Sequence, residues 1–216
     1  MDIDKIIKIL KKELKHYKNP IITEIADLNK DPFKVLISCI LSLRTKDEVT
    51  AKASKRLFEK ASKPEEILKL STEEIEKLIY PVGFYKTKAK NIKEVCKDLI
   101  EKYDSKVPNN ENELLKLNNV GRKTMGIVMC YGFGKNSYIP VDSHVHIISN
   151  RLGLVKTKTP EKTEQELYKI IPKKHWHDYN DLMVKFGQNI CLSNSPYCSK
   201  CPINKYCKKI GLKHSR

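Results

Sequence analysis

The sequence predicts an all-α fold of roughly ten short helices followed by a cysteine-rich loop. Apolar residues recur at helical spacing along nearly all of its 216 residues. No segment shows the strict alternation of a half-buried strand. Gly and Pro fall mostly between the periodic runs, where helices stop.

In chain order, Ile3, Ile6, Ile7, Leu10, Leu14 and Tyr17 form one apolar stripe on a first helix. Asp31 and Pro32 are an N-cap and an N1 proline for the run from Phe33 to Leu43. Lys34 and two serines interrupt that run, and it falls short of the ~20 apolar residues of a membrane span, so it predicts a buried helix. Thr45 with Glu48, and Ser71 with Glu74, have capping-box spacing and open two more helices. Ala89, Ile92, Val95, Cys96, Leu99, Ile100 and Tyr103 stripe another. Further helical runs are expected at 111–117, 122–133, 143–152, 160–171 and 175–190. There is no internal repeat and no low-complexity segment.

With 40% hydrophobic and 31% charged residues the chain is a folded, soluble protein rather than a disordered one. The N-terminal segment opens an amphipathic helix and lacks signal-peptide features, so the expected address is the cytoplasm. A formal net charge of +16 favours polyanions, either nucleic acid or an acidic membrane surface.

Four of the seven cysteines, Cys191, Cys198, Cys201 and Cys207, follow the pattern C-x6-C-x2-C-x5-C. Inside a cell such clustering points to metal binding before disulfides. Four soft thiolates suit zinc or an iron–sulfur cluster. Cys39, Cys96 and Cys130 lie on apolar helical faces and read as buried core thiols.

Leu114 to Thr124 reads as helix, tight turn, helix, with Asn118-Asn119 at the turn and Val120-Gly121-Arg122-Lys123-Thr124 opening the second helix. Asn tolerates a left-handed backbone better than other residues with a side chain, so the turn can close. Gly121 and the helix N-terminus present backbone N–H groups suited to a phosphate. Lys123 sits in the first helical turn, where the dipole and Arg122 disfavour its charged form and so favour a nucleophilic amine. A surface lysine touching phosphate is the plainer alternative. Nineteen residues on, Pro140-Val141-Asp142-Ser143-His144-Val145-His146 places Asp142 as the N-cap of the next helix. His144 either orients Asp142, contacts a bound partner or simply packs, and His146 reads as structural.

The hairpin lysine, the V-D-S-H aspartate and the four cysteines together resemble the endonuclease III family, in order and in separation, over nearly the whole chain. The family's usual hairpin is L-P-G-V-G-R-K-T, so Asn118 and Asn119 stand in for Pro-Gly. Leu41-Ser42-Leu43-Arg44-Thr45-Lys46-Asp47 resembles the family's L-S-x-Q-T-x-D, with Arg44 where a glutamine fills the gap left by a flipped base. Val82 to Ala89 resembles a second loop in which Phe84 is a wedge. As plainer alternatives, Arg44 ends a helix and Phe84 is a core aromatic.

The resemblance implies a bilobal helix–hairpin–helix glycosylase with a six-helix lobe over 26–135. A second lobe is made of 1–25 with 136–216 and carries a [4Fe-4S] cluster on Cys191, Cys198, Cys201 and Cys207. DNA lies between the lobes, where Lys123 and Asp142 face each other as the catalytic pair. Arg44, Phe84, Asn119, Gly121, Arg122 and His144 are the implied DNA contacts. The implied partner is duplex DNA holding damaged bases or abasic sites, bound by a monomer without a membrane. The implied reaction removes oxidised or ring-saturated pyrimidines such as thymine glycol and nicks the strand by β-elimination through a lysine imine. The first cysteine loop, 192–197, lacks the basic residues common in the family, leaving Lys200, Lys205, Lys208 and Lys209 to contact phosphates. Rival readings are a monofunctional mismatch or adenine glycosylase of the same fold, which usually lacks the hairpin lysine, and a non-catalytic iron–sulfur DNA-binding protein.

Overall fold

The structure is a computed structural model and describes residues 2–29 and 31–216. Among them there are α-helices and short 3-10 and π turns but no strand. None of the described helices is long and apolar enough to cross a membrane. The chain divides into two compact units, Ile21–Lys135 and Met1–Pro20 with Asn136–Arg216.

The first unit is built around α3 (Pro32–Ser42), in which Phe33 and every residue from Val35 to Leu41 are buried. Asp31 starts it as expected, its Oδ1 accepting from the Phe33 N–H at 2.9 Å. Around α3 pack α2 (Ile21–Asn29), α4 (Asp47–Lys60), α7 (Tyr85–Tyr103) and α9 (Arg122–Ile127). The short helices α5 (Pro64–Lys69) and α6 (Thr72–Ile79) lie against α7, and α8 (Glu111–Lys116) against α9. A helix buried on all sides gains most of its stability from transfer, about 1.5–3 kcal/mol for each large apolar side chain. Cys39, Cys96 and Cys130 are part of this core, as their apolar faces predicted.

Two helix starts test the capping-box spacings. Ser71 and Glu74 form the box, with Ser71 Oγ accepting from the Glu74 N–H at 3.1 Å and Glu74 Oε2 from the Ser71 N–H at 2.7 Å. Thr45 and Glu48 do not. The helix begins at Asp47, its N-cap is Lys46, and no side chain caps it. The Thr45 hydroxyl is engaged elsewhere, accepting from the Gly83 N–H at 3.1 Å. The run expected as one helix over 122–133 also divides. After α9 the backbone widens into a π turn, Val128–Gly132, where the Phe133 N–H reaches back to the Val128 carbonyl. Gly132 there meets Pro32 closely, since an added Cβ would lie 3.1 Å from Pro32 Cα.

The second unit packs α1 (Ile3–Glu13), α10 (Ser143–Leu152), α11 (Pro160–Ile170) and α12 (Trp176–Asn189) around one core. Ile6, Ile7, Leu10 and Leu14 enter that core beside Ile148, Tyr179 and Phe186. Two 3-10 turns, Cys198–Lys200 and Asn204–Tyr206, shape the cysteine loop that follows α12.

Candidate functional site

The hairpin forms as the sequence predicted. Asn119 takes the left-handed conformation, φ 62°, between α8 and α9. The Val120 N–H bonds the Leu117 carbonyl at 3.2 Å and closes the turn. Gly121 is the N-cap of α9 and makes no side-chain cap bond. An added Cβ on it would meet nothing within 4 Å, so its missing side chain leaves the turn's outer face open. Asn119, Gly121 and Arg122 are exposed, and Arg122 pairs loosely with Glu111 at 3.9 Å. Lys123 follows on the same turn, partly buried. Its charge bears on the Cys39 thiol of α3, which burial pushes up to about 12 and which Lys123 pulls the other way.

In the other unit, Asp142 is held at the start of α10. Its backbone is extended, and Oδ1 accepts from the Val145 N–H at 2.9 Å. The approach to it is pinned from two sides, by Asn180 Nδ2 on the Pro140 carbonyl at 2.8 Å and by Tyr168 on the Ile139 N–H at 3.2 Å. His144 lies against Gly187 of α12, where an added Cβ would come within 2.3 Å of its Nδ1. His146 bonds Thr163 at 2.7 Å.

Arg44 and Phe84 meet. The guanidinium lies 5.7 Å from the centre of the Phe84 ring, and both residues are exposed, Phe84 by 63%. Phe84 is therefore no core aromatic. Both have left-handed backbones, φ 53° and 58°, which non-glycine residues keep only where neighbours enforce them. Leu43 and Tyr80 are also exposed on these two loops. Sequence reasoning missed the residue beneath them, Lys88, which looks like one solvated lysine among many but is only 5% exposed.

The four cysteines Cys191, Cys198, Cys201 and Cys207 line one space, partly open to solvent, with Arg151, Phe186 and Ile190. Burial raises the thiols of Cys191 and Cys207 and pushes Cys201 up to about 11. Uncharged thiols in an apolar wall gain from a metal that takes their protons' place. Among the described residues no three His, Cys, Asp or Glu side chains could hold a single metal ion. Four soft sulfurs lining one space suit zinc or an iron–sulfur cluster.

Arg151, also missed, is 6% exposed and crosses this loop. It donates to Cys191 Sγ at 3.2 Å and to the Leu192 and Ser193 carbonyls at 3.0 and 2.9 Å. Arg216 stacks 4.1 Å from the Tyr197 ring centre and donates to the Ser195 carbonyl at 3.0 Å. Lys200, Lys205, Lys208 and Lys209 are exposed around it.

Residues 37–173 match the family model described as HhH-GPD superfamily base excision DNA repair protein. The chain is 49% identical to endonuclease III of Thermotoga maritima over 178 residues, 82% of this chain and 83% of that protein. It is 38% identical to endonuclease III of Rickettsia conorii over 95% of this chain and 94% of the relative. A solved structure of a trapped endonuclease III–DNA covalent intermediate superposes with a TM-score of 0.86 at 35% identity, covering 96% of this chain and 94% of that one. Sequence, fold and the placement of the hairpin thus agree, and the chain belongs to the endonuclease III family of helix–hairpin–helix base-excision DNA glycosylases and abasic-site lyases.

Proposed function

We propose that this glycosylase removes oxidised or ring-saturated pyrimidines from duplex DNA, with Lys123 as nucleophile and Asp142 as its carboxylate partner. One observation carries the reading. A partly buried lysine stands in the first turn after a formed hairpin, a position that a monofunctional enzyme has no need to fill with an amine.

The chemistry follows from these groups. Asp142, held rigid as an N-cap, stabilises positive charge developing on the deoxyribose and takes a proton from the Lys123 ammonium. Lys123 Nζ bonds to C1′ as the C1′–N bond to the base breaks, and the base leaves with a proton. The sugar ring opens to an imine on Lys123. Loss of a C2′ proton then breaks the C3′–O bond and nicks the strand. Water releases the sugar and restores the amine. Arg44 fills the gap left by the flipped base and Phe84 wedges the stack. Asn119, Gly121, Arg122 and His144 contact the backbone. The protein acts as a monomer.

Cys191, Cys198, Cys201 and Cys207 would hold a [4Fe-4S] cluster, which supplies shape to the surrounding loop and no step of the reaction. Four sulfurs lining one space support a metal group here, and likeness to the endonuclease III family favours the cluster over a single zinc ion. Visible absorption and iron content of the purified protein distinguish the two.

Borohydride trapping tests the reading. Duplex DNA with thymine glycol or an abasic site should give a covalent adduct that Lys123→Ala abolishes while DNA binding persists. Base release without an adduct would mean a monofunctional enzyme. Binding with neither would mean a non-catalytic protein.

A further inference from the structure

We propose that Lys88 is a positioning residue for base extrusion, its buried ammonium holding the Arg44 loop against the Phe84 loop so that the two side chains enter the duplex as one preformed wedge. The proposal rests on the reading of Arg44 as the gap filler.

Lys88 lies in the first turn of α7, directly after Phe84 and the loop that carries it. Its Nζ donates to the Leu41 carbonyl at 2.8 Å, the Leu43 carbonyl at 2.5 Å and Thr45 Oγ1 at 3.2 Å. Those three acceptors bracket Arg44. The first two lie at the end of α3, where helix carbonyls lack intrahelical partners. The two loops also touch at their backbones. The Gly83 N–H donates to Thr45 Oγ1 at 3.1 Å, and a Cβ on Gly83 would fall 2.7 Å from the Arg44 carbonyl oxygen.

Packing alone does not explain this lysine. A methionine would fill the same channel without taking a charge out of water, and burial pushes the amine down to about 8. All three acceptors are uncharged, so none of these bonds offsets the desolvation as an ion pair would. What the ammonium adds is three bonds in fixed directions on a loop whose central residue holds a left-handed backbone. The Thr45 hydroxyl is drawn into the same clamp instead of capping α4. A wedge assembled beforehand does not lose conformational freedom when it meets DNA.

The test uses cluster-loaded parent, R44A, K88M and the double variant. Single-turnover base release is measured on a thymine glycol duplex with 2-aminopurine opposite the lesion. Lyase activity is measured on single-stranded abasic DNA, which has no opposite base for a wedge to meet. R44A and K88M should each slow duplex base release at least tenfold and change the 2-aminopurine response. K88M should keep single-strand lyase activity within twofold of parent, and on the duplex the double variant should be no slower than the slower single.

Duplex release by K88M within twofold of parent, equal loss on both substrates, or losses that multiply in the double variant would each overturn the proposal. If R44A itself releases the base normally, the gap-filling reading falls and takes the proposal with it. If R44A is slow and K88M is not, only the proposal falls. Should K88M not fold, T45V removes the hydroxyl shared by Lys88 and Gly83, and the same comparisons apply to it.

Discussion

Gly187→Ala sets two effects of opposite sign against each other. Gly187 sits inside α12, where alanine is favoured over glycine by about 1 kcal/mol. Against that, the new methyl would lie 2.3, 2.9 and 3.2 Å from Nδ1, Cγ and Cβ of His144. The last two atoms sit at the root of the side chain, so turning the ring does not clear them. The start of α10 has to move, and overpacking of this kind costs about 1–3 kcal/mol. The balance is a net loss of up to about 2 kcal/mol, or a fall in Tm of up to about 8 °C for a chain of this size. Thermal melts of parent, G187A, H144A and the double variant check the argument. With the ring removed the collision largely disappears, so G187A should become stabilising in the H144A background. The same displacement carries Asp142, and base release by G187A should fall while its helix content does not. A G187A protein melting at or above parent, with His144 intact, would refute the reasoning.

Three further outcomes are expected. Asp142→Asn keeps a good N-cap, so its urea midpoint should stay near parent while base release falls by about 10²–10⁴-fold. Arg151→Met leaves the Leu192 and Ser193 carbonyls and Cys191 without their donor, and should lower stability by about 1–3 kcal/mol and speed loss of the proposed cluster on dilution, followed by visible absorption. For Lys88 the folded value, about 8, lies below the usual 10.5. Between these values the unfolded chain binds more protons, so parent stability should rise with pH relative to K88M. Paired urea titrations across that window check it, and a difference that is flat or falls with pH would contradict the burial of a charged Lys88.

What could be read from the sequence was what depends on neighbours in the chain. Asp31, Ser71 and Asp142 cap their helices by bonds to residues two or three positions on, and spacing alone exposes such bonds. The hairpin is equally local, with Asn119 supplying the left-handed turn. The Thr45–Glu48 box failed because its hydroxyl is claimed by residues 38 and 43 positions away. No local pattern shows that competition. Lys88 was hidden for the same reason, as was the π turn, which brings Gly132 to Pro32. Arginine offered an unused signal. Only five of the 42 basic residues are arginine. Arg56, Arg151 and Arg216 each use the fork on two backbone carbonyls or a stacked ring, and Arg44 lies on Phe84. In a chain that otherwise uses lysine for charge, an arginine marks a place where geometry matters.

The grouping of α1 with the distant C-terminal helices bears on how the polypeptide is made. The stripe of Ile6, Ile7, Leu10 and Leu14 is buried with residues of α10 and α12, in a unit that omits everything from Ile21 to Lys135. At 5–20 residues per second, synthesis runs on for about 6–25 s between the end of α1 and Asn136, where the rest of its unit begins. For that interval four large apolar side chains have no partner within their own unit. The intervening unit, whose helices are all complete by Lys135, has its whole core available meanwhile. A segment near the start of translation is thus among the last to be covered, and during that wait it is exposed to chaperones and proteases.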